Sequence, residues 1–130
     1  MANIFILLSH KLTQEQIAAL KNELHIDNII YMPENLQTLW SNIPPENKSI
    51  YEILNPVRLW LKNNAKLDDY ALIQGDMGAT YQMINYSFSI GIIPCYTTTK
   101  RVSIQEKNIN GTVNVIKEFK HVRYRIYEKY

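Results

Sequence analysis

The stretch YALIQGDMGATY, residues 70–81, decides how the rest of the chain folds. It begins as a short apolar run, breaks at a glycine, an acid and a second glycine, and resumes with a helical pattern. This order predicts a buried strand, a tight turn and a crossover helix, because parallel strands are joined through such crossovers. Glycine lets the backbone bend sharply and approach a ligand closely. The turn at Gln74–Thr80 is therefore the first candidate binding site.

Three more segments repeat the strand pattern: NIFILLSH, DNIIYMP and IIPCYTTT. Helical segments separate them. The first helix begins with a capping box of Thr13 and Gln16, a longer one over residues 49–66 is bent or restarted at Pro56, and another ends at Gly91. Four strands alternating with helices predict an α/β fold, a parallel sheet flanked by helices. Residues 101–127, rich in β-branched and aromatic types around NING, predict a C-terminal β-hairpin.

Length and composition predict one domain over residues 1–130, with 46% hydrophobic and 20% charged residues. No apolar run approaches the roughly 20 residues that a membrane span needs. No secretory leader opens the chain, and Cys95 is the only cysteine. We therefore expect a cytoplasmic protein with no disulfide and no membrane partner.

The formal charge of +2 is unevenly distributed. Residues 1–97 contain 6 Lys and Arg against 9 Asp and Glu, whereas residues 98–130 contain 8 against 3. A basic C-terminal surface that attracts phosphates would explain this asymmetry. Lysines that protect an exposed hairpin edge from aggregation would explain it equally well.

Polar residues follow three of the predicted strands: Ser9 and His10, the turn QGDMGAT, and TTTKR at residues 97–101. In open parallel sheets, ligands bind outside the carboxyl ends of the strands, so these turns should meet at one edge. Free N–H groups at the start of the helix after QGDMGAT would favour an anion. Asp76 could equally be only the N-cap of that helix, accepting from the amide of Gly78 or Ala79. TTTKR could likewise be only a polar strand end.

The three histidines and the acids give weaker signals. His10 could move a proton or serve structure, His25 is expected to cap a helix end, and His121 could contact phosphate or lie on the surface. No Cys or His pair has metal-ligand spacing, and the acidic pair Asp68 and Asp69 is expected in a loop. No G-x-S-x-G motif is present. The sequence predicts neither a metal site nor a hydrolase triad.

Four clusters together resemble the small stand-alone ring nucleases of type III CRISPR systems, single-domain relatives of the CARF fold. They are IFILLSHKLTQEQ, LWSNIPPE, ALIQGDMGATYQMINYSFSIGIIPCYTTTKR and FKHVRYR, and they cover well over half of the chain in the same order. Thr97 stands where the family pattern favours alanine. The resemblance implies a Rossmann-like (CARF-like) parallel sheet.

The resemblance also implies a homodimer that binds cyclic oligoadenylate, with cyclic tetra-adenylate expected, across its two-fold axis. Such enzymes need no metal or other cofactor, and neither DNA nor a membrane is an expected partner. A ribose 2′-hydroxyl attacks the adjacent phosphate and leaves a 2′,3′-cyclic phosphate end, which stops the antiviral signal. The candidate catalytic residues are Ser9, His10 and Arg101. The candidate ligand-binding residues are Gln74, Gly75, Asp76, Gly78, Ala79, Thr80, Thr97, Thr98, Thr99, Lys100, His121 and Arg123.

Two other functions fit the same residues. A module that senses or sequesters a cyclic nucleotide without cutting it would use the same turns. A basic hairpin that binds RNA through phosphate contacts would show a steep salt dependence.

Overall fold

A computed structural model describes residues 2–130. Its helices and strands are β1 (Ala2–Leu7), α1 (Gln14–Leu24), β2 (Ile26–Tyr31), α2 (Glu34–Ser41), α3 (Asn55–Asn64), β3 (Tyr70–Ile73), α4 (Met77–Ser89), β4 (Ile93–Lys107) and β5 (Val113–Ile126). The chain therefore forms a mixed α/β structure, in which strands and helices alternate up to β4.

The five strands form one sheet in the order β2-β1-β3-β4-β5. The first four are parallel, and β5 is antiparallel to β4. From β1 the chain moves outward to β2, then crosses back to β3 on the other side of β1. Because parallel crossovers are right-handed, this reversal places α1 on one face of the sheet and α2, α3 and α4 on the other. The carboxyl ends of β1 and β3 therefore lie side by side where the direction reverses.

Two apolar clusters hold the helices against the sheet. In β3 both faces are buried: Ala71 and Ile73 belong to the cluster under α2, α3 and α4, and Leu72 belongs to the cluster under α1. A central strand buried on both faces has the continuous apolar sequence that parallel strands require. Among residues 2–130, no helix combines the length and apolarity needed to cross a bilayer.

Local signals fix the ends of α1 as expected. The Thr13 side chain accepts from the Gln16 amide, and the Gln16 side chain accepts from the Thr13 amide, which confirms the capping box. His25 follows the helix in the left-handed conformation with φ 54° and donates its N–H to the carbonyl of Leu20. The predicted cap role of His25 is confirmed.

The helix predicted over residues 49–66 is shorter in the structure. Residues 51–54 form turns, and α3 begins at Asn55 with Pro56 in its first turn. Proline fits there because the first helical N–H groups have no partner within the helix. Leu54, Val57 and Leu61 of this segment are fully buried, whereas Ile50 is half-buried.

The predicted strand IIPCYTTT is longer in the structure, and the prediction that TTTKR at residues 97–101 follows the strand is wrong, because these residues lie inside β4. Pairing between β3 and β4 ends at Cys95, but β5 continues to pair with β4 as far as Lys107. The antiparallel partner supplies the hydrogen bonds that β3 no longer provides. We call residues 99–107 and 113–121 the ribbon: most of its side chains are exposed.

Candidate functional site

The candidate site lies at the adjacent carboxyl ends of β1 and β3. The Gln74 amide donates to the carbonyl of Leu7 at 3.1 Å, so the first residue after β3 is tied to the last residue of β1. The Gln37 side chain donates to the carbonyl of Leu8 at 2.6 Å and holds the other side of the crevice. Open α/β sheets bind ligands at this position, where the strand order reverses.

The Gln74 side chain joins this turn to β4. Its Oε1 accepts from the backbone N–H of Thr97 at 3.1 Å and from the Thr97 hydroxyl at 3.0 Å. A backbone N–H can only donate, so this contact fixes the amide with its oxygen toward β4. Three strands, β1, β3 and β4, are thereby connected through Gln74, and its Nε2 is the group left to donate to a ligand.

Trp40 packs against the backbone of the turn at Gln74 and Gly75. Its indole Nε1 donates to the carbonyl of Gln74 at 3.1 Å, and the ring is 2% exposed. A Cβ at Gly75 would lie 2.7 Å from Nε1 and 3.1 Å from Cε2 of this ring. Glycine is therefore required at position 75 for the close approach of the backbone to a packed indole.

Asp76 caps α4. Its Oδ2 accepts from the amide of Ala79 at 3.0 Å, which confirms the N-cap interpretation. The carboxylate brings a negative charge to the same helix end whose amides would attract an anion. A hydroxyl donor, such as that of a ribose, therefore fits beside Asp76 better than a bare phosphate oxygen does.

A groove of about 370 Å³ opens beside the turn. Its lining residues are Gln74, Gly75, Met77, Thr80, Tyr81, Ile84 and Tyr127. The Thr80 hydroxyl is buried and has no hydrogen-bond partner among residues 2–130. A buried hydroxyl is normally satisfied, so this one is a natural contact for a ligand in the groove.

Tyr127 forms the far wall of this groove. Its hydroxyl donates to the carbonyl of Ile73 at 2.7 Å, and its ring lies 4.5 Å from that of Tyr96. Burial, with Tyr96 and Cys95 nearby, raises the pKa of Tyr127 to about 12. The phenol therefore remains protonated at neutral pH and continues to donate to the end of β3.

The candidate catalytic residues Ser9, His10 and Arg101 do not line this groove. Ser9 and His10 are exposed after β1, and the His10 Nδ1 lies 3.1 Å from the carbonyl of its neighbour Lys11. Arg101 lies on the ribbon, roughly 13 Å along the strand from Thr97 at about 3.3 Å per residue. Its guanidinium is 6.0 Å from the centre of the Phe119 ring. The structure brings Gln74, Thr97 and Thr80 together, but not Arg101.

The other predicted ligand residues are distributed along β4 and β5. Thr98 donates through its hydroxyl to the carbonyl of Arg123 at 3.0 Å, while Thr99 and Lys100 are exposed. His121 faces α1: its Nε2 lies 2.9 Å from Glu23, and its side chain is 6% exposed. This imidazole is thus engaged by a carboxylate within the chain, away from the groove.

Sequence reasoning missed three residues that shape the site. Trp40, Gln37 and Tyr127 act through contacts with backbone carbonyls far away along the chain. The available signal was chemical: a buried indole or phenol usually requires a hydrogen-bond partner, and carbonyls at strand ends are such partners. Within residues 2–130, no group of three or more His, Cys, Asp or Glu side chains is arranged to hold a metal ion.

Fold and site together define a mixed α/β protein with a polar crevice at the reversal point of a mostly parallel sheet. The chain belongs to the family described as the uncharacterized protein MJ1673 family, whose model matches residues 2–125. It is 46% identical over 132 residues to uncharacterized protein MJ1673 of Methanocaldococcus jannaschii, and the match covers 100% of both chains. No solved structure matches the chain significantly.

Proposed function

We propose that this protein is a metal-independent ring nuclease with a Rossmann-like (CARF-like) fold. It binds cyclic oligoadenylate, in the first place cyclic tetra-adenylate, at the interface of a cytoplasmic homodimer. It cleaves the ring by attack of a ribose 2′-hydroxyl, giving linear products with 2′,3′-cyclic phosphate ends and stopping type III CRISPR signalling.

The observation that carries this proposal is the Gln74 turn and its groove. The turn is held by Trp40 and Thr97, and beside it Thr80 has a buried hydroxyl without a partner among residues 2–130. Neutral donors and acceptors of this kind suit ribose hydroxyls and base edges, which together with phosphates make up an oligoadenylate. The inference that the substrate is cyclic rests on the sequence resemblance to ring nucleases.

The reaction assigns little covalent work to the protein. The 2′-oxygen forms a bond to phosphorus, the bond to the 5′-oxygen breaks, and the hydroxyl proton is transferred to the departing oxygen. The protein must hold the two oxygens in line and stabilise the charge on phosphorus, which are tasks of positioning and electrostatics. Gln74, Asp76 and Thr80 would position the ribose, while Lys100 and Arg101 would supply positive charge.

A homodimer would bring the ribbon cations to the ring. Within one chain, Arg101 lies far from the groove along β4, whereas the ligand is expected to span a two-fold axis. The ribbon also exposes the apolar side chains Ile104, Ile116 and Phe119. Burial of these side chains against a second copy would place two copies of Lys100 and Arg101, four cations in all, beside one ligand.

The test is direct cleavage in the presence of EDTA. Purified protein is incubated with cyclic tetra-adenylate, and the products are separated by chromatography and identified by mass. We expect linear products with 2′,3′-cyclic phosphate ends. The single variants Thr80→Val and Gln74→Ala should each lower the cleavage rate. Loss of turnover in EDTA with recovery on added manganese would overturn the proposal.

Thermal shift separates binding from cutting. Cyclic tetra-adenylate should raise the melting temperature more than linear tetra-adenylate does, since a ligand that binds only the folded state stabilises it. A specific shift without cleavage would identify a sensor or sequestering module instead. Equal or absent shifts with no cleavage would exclude both functions.

A further inference from the structure

A second groove lies against a different face of α4 from the groove beside the Gln74 turn. Its volume is about 510 Å³, within the range of small-molecule sites. The groove is bounded by the turn before α3, by α3 and by α4. Its lining residues are Tyr51, Asn55, Arg58, Leu59, Lys62, Gln82, Asn85 and Tyr86.

Arg58 is the central residue of this groove. Its side chain is buried, with only 8% of the residue exposed, and its Nη2 donates to the carbonyl of Tyr51 at 2.5 Å. The guanidinium lies 4.1 Å above the centre of the Tyr51 ring, which fixes its plane. The Nη1 is also buried, yet it has no hydrogen-bond partner among residues 2–130.

A buried guanidinium N–H without a partner is costly, because arginine stays charged in proteins and the desolvation of this N–H group is not compensated by a hydrogen bond. No carboxylate lines the groove to balance the charge. Lys62 adds a second positive charge one helical turn further along α3, on the same side of the helix. The groove therefore has two cations and no anion.

The wall formed by α4 is polar but uncharged. The Gln82 Oε1 is buried without a partner among residues 2–130, and Asn85 lies one turn away on the same helix face. Together with Asn55 on α3, these amides can donate and accept at the edge of a planar heterocycle. Leu59 and Tyr86 supply apolar and aromatic surface beside them.

From these contacts we infer that the groove between α3 and α4 binds a small phosphate monoester of nucleotide size. The phosphate accepts from Arg58 Nη1 and from Lys62, and the amides of Asn55, Gln82 and Asn85 contact the rest of the ligand. Arginine suits this role since its planar fork matches phosphate oxygens. This site is separate from the Gln74 groove, and the inference does not depend on the proposed ring cleavage.

The experiment uses inorganic phosphate, AMP and adenosine as probes, followed by NMR of the side-chain amides and the arginine Nε–H in physiological salt. AMP should bind saturably with a Kd of about 1 mM or tighter, and should shift the signals of Gln82, Asn85 and Arg58. Phosphate should shift Arg58 at higher concentration. Adenosine should bind at least about tenfold more weakly than AMP, because it lacks the charged group.

Lys62→Glu is the matched variant, since Arg58 is buried and its replacement could unfold the chain. Lys62→Glu should weaken AMP binding about tenfold, which corresponds to one charged contact, whereas Lys66→Glu outside the groove should leave it unchanged. Gln74→Ala, which disrupts the other groove, should also leave the Gln82 shifts unchanged.

Four results would overturn the inference. Saturable AMP binding could be absent, Lys62→Glu and Lys66→Glu could behave alike, or the shifts could appear at Gln74 and disappear in Gln74→Ala. Arg58 and Gln82 could also be satisfied by each other in solution. In that case a hydrogen bond between Arg58 Nη1 and Gln82 Oε1 would be detected in the free protein, and AMP would leave it intact.

Discussion

Up to Cys95, β4 is a buried strand between β3 and β5, whereas beyond Thr99 it is half of a ribbon whose side chains are mostly exposed. The same strand thus passes from a region with a complete core to one that has none of its own. Beside the first region, hydrogen bonds fix the neighbouring turn, since Gln74 contacts β1 through Leu7 and β4 through Thr97. In the second, the side chains are available for contacts with other molecules.

The exposed ribbon carries more apolar surface than a solvated strand pair needs. Its large exposed hydrophobic residues are Ile104, Val113, Val115, Ile116 and Phe119. A two-stranded antiparallel pair is marginally stable in water unless something covers one of its faces. Under the proposed homodimer, a second copy of the chain would provide that cover.

Truncation of one buried and one ribbon side chain should give the largest contrast in stability. Leu72→Ala removes a fully buried side chain from β3 and should lower the free energy of unfolding by about 2–5 kcal/mol. Ile116→Ala removes the same number of carbons from a side chain that is 39% exposed. It should cost about 1 kcal/mol or less. Urea unfolding measures both values.

The same pair of variants tests whether a partner covers the ribbon. If the ribbon is an interface, the cost of Ile116→Ala should grow as the protein concentration rises, because association stabilises only the assembled state. The cost of Leu72→Ala should then stay nearly constant. Equal costs for the two variants at every concentration would contradict the contrast between the two regions.

Local patterns predicted the buried region well and the ribbon less well. The apolar runs of the strands, the capping box of α1 and the Asp76 cap all depend on residues close together in sequence. The continuation of β4 through residues 97–101 depends instead on β5, whose paired residues lie 18 to 27 positions away along the chain. Three consecutive threonines resembled a polar turn, although their β-branched side chains favour a strand once a partner is present.

Local sequence patterns also did not predict the contacts that shape the site. The Gln74 turn was predicted from its glycines, but the contact of Trp40 with the Gln74 carbonyl joins residues 34 positions apart. Such a contact leaves no periodic signal in the sequence. The distance between Arg101 and the groove likewise depends on where β4 ends, and that boundary is set by tertiary pairing.

The two adjacent cations of the ribbon should affect cleavage differently. Arg101→Ala should cost about 2–4 kcal/mol of transition-state stabilisation, comparable to the loss of one preorganised donor. Lys100→Ala should mainly weaken binding and reduce its salt dependence, since neighbouring side chains on a strand point to opposite faces. Single-turnover rates at saturating cyclic tetra-adenylate distinguish the two effects. Wild-type cleavage by Arg101→Ala with an inactive Lys100→Ala would reverse the assignment.

The smallest expected effect is the pH dependence of the free energy of unfolding that arises from Cys95, the residue at which the pairing of β4 with β3 ends. Burial raises the pKa of the Cys95 thiol from 9.0 to about 12. Between these two pH values the folded state therefore retains a thiol proton that the unfolded chain loses. This stabilisation is complete below pH 9 and declines as the pH rises toward 12. Between pH 7 and pH 10 the free energy of unfolding should fall by about 1 kcal/mol from this group.

Cys95→Ala is the control for this pH effect. The variant should be less stable at pH 7 because it loses buried volume, but its decline between pH 7 and pH 10 should be shallower by that amount. Urea unfolding under reducing conditions at the two pH values gives the comparison. An identical pH dependence in both proteins would show that the thiol is not buried as described.

The contact of Trp40 with the Gln74 carbonyl also gives the protein an internal spectroscopic reporter. The chain has two tryptophans, and the indole N–H of Trp40 donates to the backbone of the candidate site. A ligand that moves this turn should change the Trp40 emission and the chemical shift of its indole proton. Occupancy of the Gln74 groove can therefore be followed by tryptophan fluorescence or by NMR without any label. The variant Trp40→Phe identifies which tryptophan provides the signal.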